Sequence, residues 1–181
     1  MKTTHLHILP ECFVDTNLTQ ILMRVKGVSH QHSCGQVTNV MQRTFYDQFS
    51  IGVIDMDKKQ SRYSEECVEI AHSNEIVLCR HPGSHHYLIK IINIMERFIL
   101  NAVDELGLNL ADYGIDEGLD GLKTVTKNSD SMNDNLLRRL LKDASHSNEM
   151  TLMSDILTYL DKTRYNAKDE DIMAIFAKHG F

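Results

Sequence analysis

Hydrophobic positions along the chain switch repeatedly between two spacings. His5-Leu6-His7-Ile8-Leu9 alternates and then turns apolar, as a strand would, and Pro10 stops it before Glu11. Val14, Leu18, Ile21, Leu22 and Val25 recur at helical spacing, with Asp15 or Thr16 placed to cap the start and Gly27 placed to end it. The polar loop Ser29-His30-Gln31-His32-Ser33 leads into a second helical pattern in Val37, Val40, Met41, Phe45 and Phe49. Ile51-Gly52-Val53-Ile54 is a short apolar run of the kind buried on both faces of a parallel sheet, and it ends on Asp55-Met56-Asp57. Ser61–His72 reads as a polar helix, Ile76–Cys79 as a buried strand and Arg80–His85 as a loop. Tyr87–Ile92 reads as a strand, and Ile94–Leu106 as an amphipathic helix closed by Gly107.

This alternation predicts an α/β fold, a mostly parallel sheet flanked by helices. From residue 108 the pattern changes. Asn109–Asp134 is polar, carries Asp112, Asp116, Glu117 and Asp120, and contains no strand pattern. Leu136–Leu141, Met150–Leu160 and Asp169–Lys178 are helical. The expected organisation is an α/β domain over residues 1–107 and a helical C-terminal extension over 108–181, packed on it.

Charge and composition narrow the function. Nineteen Lys and Arg against 25 Asp and Glu give a net charge of −6, which excludes the broad basic surface of a sequence-independent DNA wrapper but not an enzyme that meets nucleic acid through a metal. The longest apolar stretch, Tyr87–Leu100, is broken by Lys90, Asn93, Glu96 and Arg97, so no membrane span is expected. The start, Met1–His5, lacks the features of a signal peptide. Cys12, Cys34, Cys67 and Cys79 stand far apart without a CxxC pair, as reduced thiols of a cytoplasmic protein do, two disulfides being the alternative.

In an open parallel sheet, ligands collect beyond the carboxyl ends of the strands. Glu11 follows the first strand, and Asp55 with Asp57 follows Ile51–Ile54. Residues two apart in an extended DxD can face one cation, and Mg²⁺ (or Mn²⁺) takes a few carboxylate oxygens plus water and substrate phosphate. The plainer alternative is that these acids form turns and caps. Lys58, Lys59 and Arg62 follow the DxD and either reach a substrate phosphate or form a solvated helix face. His81, His85 and His86 flank Pro82-Gly83-Ser84; they face a phosphate, with His85 the candidate, or serve as a general base near neutral pH, but a polar loop is favoured. His30, His32 and Cys34 form an H-x-H-x-C string, but no second ligand pair stands at zinc spacing, which favours a solvated loop. No phosphate-cradling glycine motif is present, so an NTPase site is not expected.

The segment His5–Leu22, with Leu9-Pro10-Glu11-Cys12-Phe13-Val14-Asp15 and the helix that follows, resembles the first strand, Glu loop and helix of the Toprim (topoisomerase–primase) domain. It is most similar to the versions in OLD-type nucleases, and Ile51–Asp57 resembles that family's later strand ending in DxD. The resemblance covers roughly Thr3–Leu106. It implies that Glu11 assists metal binding and acid–base chemistry, that Asp55 and Asp57 bind metal, and that Asp15, the acidic residue opening the first helix, is a further candidate metal ligand. Cys12 stands where the family usually has Gly. Pro82–Leu100, with Tyr87, Asn93, Glu96 and Arg97-Phe98, is similar to small Toprim-related bacterial proteins found near restriction and phage-defence systems, which makes Glu96 a fourth candidate carboxylate.

These readings imply a Mg²⁺-dependent phosphoryl-transfer enzyme acting on nucleic acid, a nuclease of defence or repair. The alternative is a non-catalytic Toprim-like subunit that binds nucleic acid or a partner protein. A partner ATPase or defence-system protein and a homodimer both stay open.

Overall fold

The structure, a computed structural model, describes residues 4–56, 60–127 and 133–181. Five strands, β1 (Ile8–Pro10), β2 (Ser50–Asp55), β3 (Val68–His72), β4 (Ile76–Arg80) and β5 (His86–Ile91), form one sheet in the order β1-β2-β5-β4-β3. The fold is α/β. β1, β2 and β5 are parallel neighbours, with Pro10 opposite Val53 and Asp55 opposite Ile91. The mostly parallel sheet expected from the sequence is instead mixed, because β4 pairs antiparallel with both β5 and β3. The cause is loop length. Ser73-Asn74-Glu75 and His81–His85 are too short for a crossover, so the strands they join must turn back on each other.

The expected helix Ser61–His72 is corrected to α3 (Arg62–Glu65) followed by β3. Val68-Glu69-Ile70-Ala71-His72 is an edge strand with a bulge between Glu69 and Ala71, and it is largely solvated, Val68 being 61% exposed. Its polar content is that of an edge.

Side chains alternate across the sheet and define two cores. Ile8, Ile51, Val53, Ile89 and Ile91 face one side, in one cluster with residues of α1 (Phe13–Met23), α4 (Met95–Glu105), α6 (Asn135–Ala144), α7 (Asn148–Thr163) and α8 (Asp169–Lys178). The helices after residue 108 therefore share the sheet's main core. Leu9, Ile54 and Leu88 face the other side and pack against Val37 and Met41 of α2 (Cys34–Thr44). Gly52 lets α2 approach β2: a Cβ there would stand 2.6 Å from Leu88 and 2.8 Å from Val37. Within the polar segment Asn109–Asp134 lies a further helix, α5 (Gly118–Thr126), packed on α4. Gly121 is required in it, since a Cβ would fall 2.0 Å from the Asp116 carbonyl oxygen.

Among the described residues, no helix is long and apolar enough to cross a membrane. All four cysteines are free of disulfides.

Candidate metal and nucleic-acid site

Because β1, β2 and β5 run in parallel, their carboxyl ends meet at one edge of the sheet. Glu11 directly follows β1, and its backbone N–H donates to the Val53 carbonyl at 3.0 Å, extending the ladder by one residue. Asp55 closes β2, and its backbone N–H donates to Glu11 Oε2 at 3.2 Å. Both side chains are nearly covered, Glu11 3% and Asp55 7% exposed. After β5 the chain turns through Asn93 in a left-handed conformation (φ 78°), which delivers Glu96 in the first turn of α4 to the same edge. The Thr126 hydroxyl at the end of α5 donates to Glu96 Oε1 at 2.7 Å and holds it there. Glu11, Cys12, Phe13, Asp55, Ile94, Glu96, Lys123, Thr126 and Lys127 line a cavity of about 390 Å³. Three carboxylates and two ammonium groups thus share one pocket.

Asp15 stands behind this wall rather than on it. It is fully buried, and its Oδ2 accepts the Cys12 backbone N–H at 3.0 Å, the reach-back of a helix-capping carboxylate. Its Oδ1 is buried without a hydrogen-bond partner among the described residues. Desolvation, reinforced by the charges of Glu11 and Glu96 and opposed by the hydrogen bond from Cys12, pushes its pKa up to about 7. Asp15 is therefore corrected from a lining ligand to a buried group that supports the Glu11 loop. Cys12 has extended backbone (φ −137°), which any residue adopts, so this loop needs no glycine. Burial, with Asp15 beside it, pushes the Cys12 thiol up and keeps it an inert, protonated side chain.

Of the other expected site residues, Asp57, Lys58 and Lys59 lie outside the described residues. Arg62 does not line the pocket: it is exposed, and its Nε donates to Glu66 Oε1, just past α3, at 3.0 Å. His85 is corrected as well. It precedes β5, where Ser50 at the start of β2 pairs with His86, so it sits a strand length from Asp55, roughly 17–20 Å for six residues. Its ring meets the edge of Tyr165, 4.9 Å between centroids. His30 stacks on Phe13 at 4.3 Å and His32 meets His30 edge-on at 4.8 Å, whereas Cys34 is buried in α2. No zinc group forms from these three.

The donor set suits a hard divalent cation. Mg²⁺ keeps several of its waters and needs only one or two carboxylates, which Glu11 and Asp55 supply side by side and Glu96 supplements across the pocket. Three donors mutually within 4.8 Å are found among the described residues at His5, His7 and Asp161, at the other end of β1, and not at the carboxylate pocket.

A second feature is not legible in the sequence. A groove of about 760 Å³ between α1 and α6 is lined by Arg24, Lys26, Arg138, Arg139, Lys142 and His146, with no carboxylate on its wall. Arg138 reaches Asn17 Oδ1 at 2.6 Å, midway along the helix that begins at the carboxylate pocket. Set against protein-family models, curated proteins and solved structures, the chain finds no match in any of the three.

Proposed function

We propose that the chain is a Toprim-like, divalent-metal-dependent phosphoryl-transfer enzyme that cleaves phosphodiester bonds in nucleic acid, in a defence or repair role. The observation that carries this reading is the meeting of Glu11, Asp55 and Glu96 in one pocket at the carboxyl ends of three parallel strands.

Glu11 and Asp55 would hold Mg²⁺ or Mn²⁺. When bound, such an ion polarises the phosphate and lowers the pKa of a coordinated water. Lys123 and Lys127 balance the negative charge of an entering phosphodiester. Glu96, oriented by Thr126, faces the pocket as a proton acceptor. Asp15, buried behind Glu11, accepts the Cys12 N–H and fixes the loop that carries Glu11. The basic groove along α1 and α6 gives the rest of the strand a track, so the overall charge of −6 is no obstacle.

The test is incubation of wild type and Asp55→Asn with plasmid DNA, single-stranded DNA and RNA, with Mn²⁺ and with EDTA. Cleavage by the wild type that needs the metal and disappears in the variant is the expected result. Binding of nucleic acid that survives Asp55→Asn and EDTA, without cleavage, establishes the non-catalytic subunit instead.

A further inference from the structure

At the opposite end of β1 from the carboxylate pocket, His5 and His7 face Asp161 near the end of α7. His7 Nε2 lies 2.7 Å from Asp161 Oδ1, and His5 Nδ1 lies 3.2 Å from Asp161 Oδ2. One ligand atom from each residue falls within 4.8 Å of the other two. The side chains are mostly covered, 12% exposed for each histidine and 16% for Asp161. Two imidazoles and one carboxylate from segments more than 150 residues apart therefore converge on a shielded point.

An ordinary ion-pair cluster explains half of this. His7 makes a hydrogen bond to Asp161, and Arg164 Nη2 stands 3.7 Å from the same oxygen. His5 does not fit that description. Its Nδ1 is buried and close to the carboxylate, yet makes no hydrogen bond among the described residues. A ring nitrogen brought to 3.2 Å without hydrogen-bond alignment is placed as ligands of a common ion are placed. Two ligands bound at 2.0–2.1 Å to a tetrahedral ion stand roughly 3.3 Å apart. The turn that precedes β1 brings the pair together: the Ile8 backbone N–H donates to the His5 carbonyl at 3.0 Å, and the two rings stand 6.0 Å apart between centroids.

We propose that His5, His7 and Asp161 form a second metal site, for a transition-metal dication of the Zn²⁺ class, with the fourth position left to water. Imidazole nitrogen selects such ions over Mg²⁺, so the two ends of β1 hold chemically different metals. This site is independent of the phosphoryl-transfer reading. Its position gives it a structural role, a clasp between the first strand and α7, the longest helix of the main core.

The test uses the full chain with Zn²⁺ and Co²⁺ alone. One equivalent of Co²⁺ should give the visible absorption of a tetrahedral N/O site and be displaced by Zn²⁺. Zinc at about 100 times its Kd should raise Tm by roughly 5–10 °C. His5→Gln and Asp161→Asn should each abolish the Co²⁺ spectrum and shrink the Tm shift, while Glu11→Gln keeps both. The unbound Tm of each variant shows whether it has folded. Where Asp161→Asn lowers it sharply, His5→Gln decides, because among the described residues His5 Nδ1 makes no hydrogen bond that the change could remove. A Co²⁺ spectrum unchanged by both variants, a thiolate charge-transfer band, or no binding at all overturns the proposal.

Discussion

Replacing Asp15 by Asn tests the electrostatics of the pocket without touching its wall. The carboxyl is fully buried, its pKa rises from 3.8 to about 7, and desolvation is the leading cause. Each tenfold change in a proton-binding constant corresponds to about 1.36 kcal/mol, so a rise of about three in pKa sets a ceiling of roughly 4 kcal/mol. The sign follows from proton counting. Between about pH 4 and pH 7 the folded protein keeps a proton that the unfolded chain has released, so Asp15 costs stability as pH rises through that window. Below it the carboxyl is neutral in both states; above it the full cost is present. Burial lowers the pKa of His7, His30 and His86, and their contribution is lost in the opposite direction, as pH falls. Those histidines occur in both proteins and cancel in the difference. Urea unfolding of wild type and Asp15→Asn at about pH 5, 6.5 and 8 should therefore show the variant gaining on the wild type as pH rises, by up to roughly 3 kcal/mol over this range, the rest of the cost being present already at pH 5. Asn retains an oxygen for the Cys12 N–H, so the cap survives the change. A difference that stays flat, or that moves in favour of the wild type at high pH, refutes the reasoning.

Gly52→Ala should destabilise by about 1–3 kcal/mol, read by urea unfolding, because its Cβ meets Leu88 and Val37 inside van der Waals distance. Glu96→Gln should lower metal-dependent cleavage, while the Thr126 hydrogen bond persists to the amide oxygen and Tm changes little; unchanged cleavage would place Glu96 outside the chemistry. Arg24→Ala with Lys142→Ala should raise KM for nucleic acid, leave kcat unchanged, and make the salt slope of binding shallower by about one for each phosphate that is no longer neutralised.

What the sequence reveals is local. An apolar run followed by an acid is visible residue by residue, and that pattern locates Glu11 and Asp55. Their neighbourhood then follows from β1 and β2 pairing in parallel. The edge strand β3 reads as helix because the alternation begun by Val68-Glu69-Ile70 is broken at the bulge between Glu69 and Ala71, and the strand is too short to restore it. α5 escapes notice because Gly118 and Gly121 interrupt its pattern, although Leu119, Leu122 and Val125 recur every third residue. With α5 go Lys123, Thr126 and Lys127, which close the pocket. Arg62 and His85 look well placed by distance along the chain, but a short helix and a full strand carry them elsewhere. The basic groove and the His5, His7 and Asp161 group join distant segments, and no local pattern announces them.

The central claim is that Glu11 and Asp55 bind one hard divalent cation. Titrating Mn²⁺ into the protein and following the free ion by electron paramagnetic resonance measures this directly, with zinc added beforehand to fill any imidazole site. The expected result is one Mn²⁺ per chain, competed by Mg²⁺, with Glu11→Gln and Asp55→Asn each weakening binding by at least tenfold and Arg24→Ala having no effect. Mn²⁺ binding that is absent, or equally tight in wild type and both carboxylate variants, would contradict the claim.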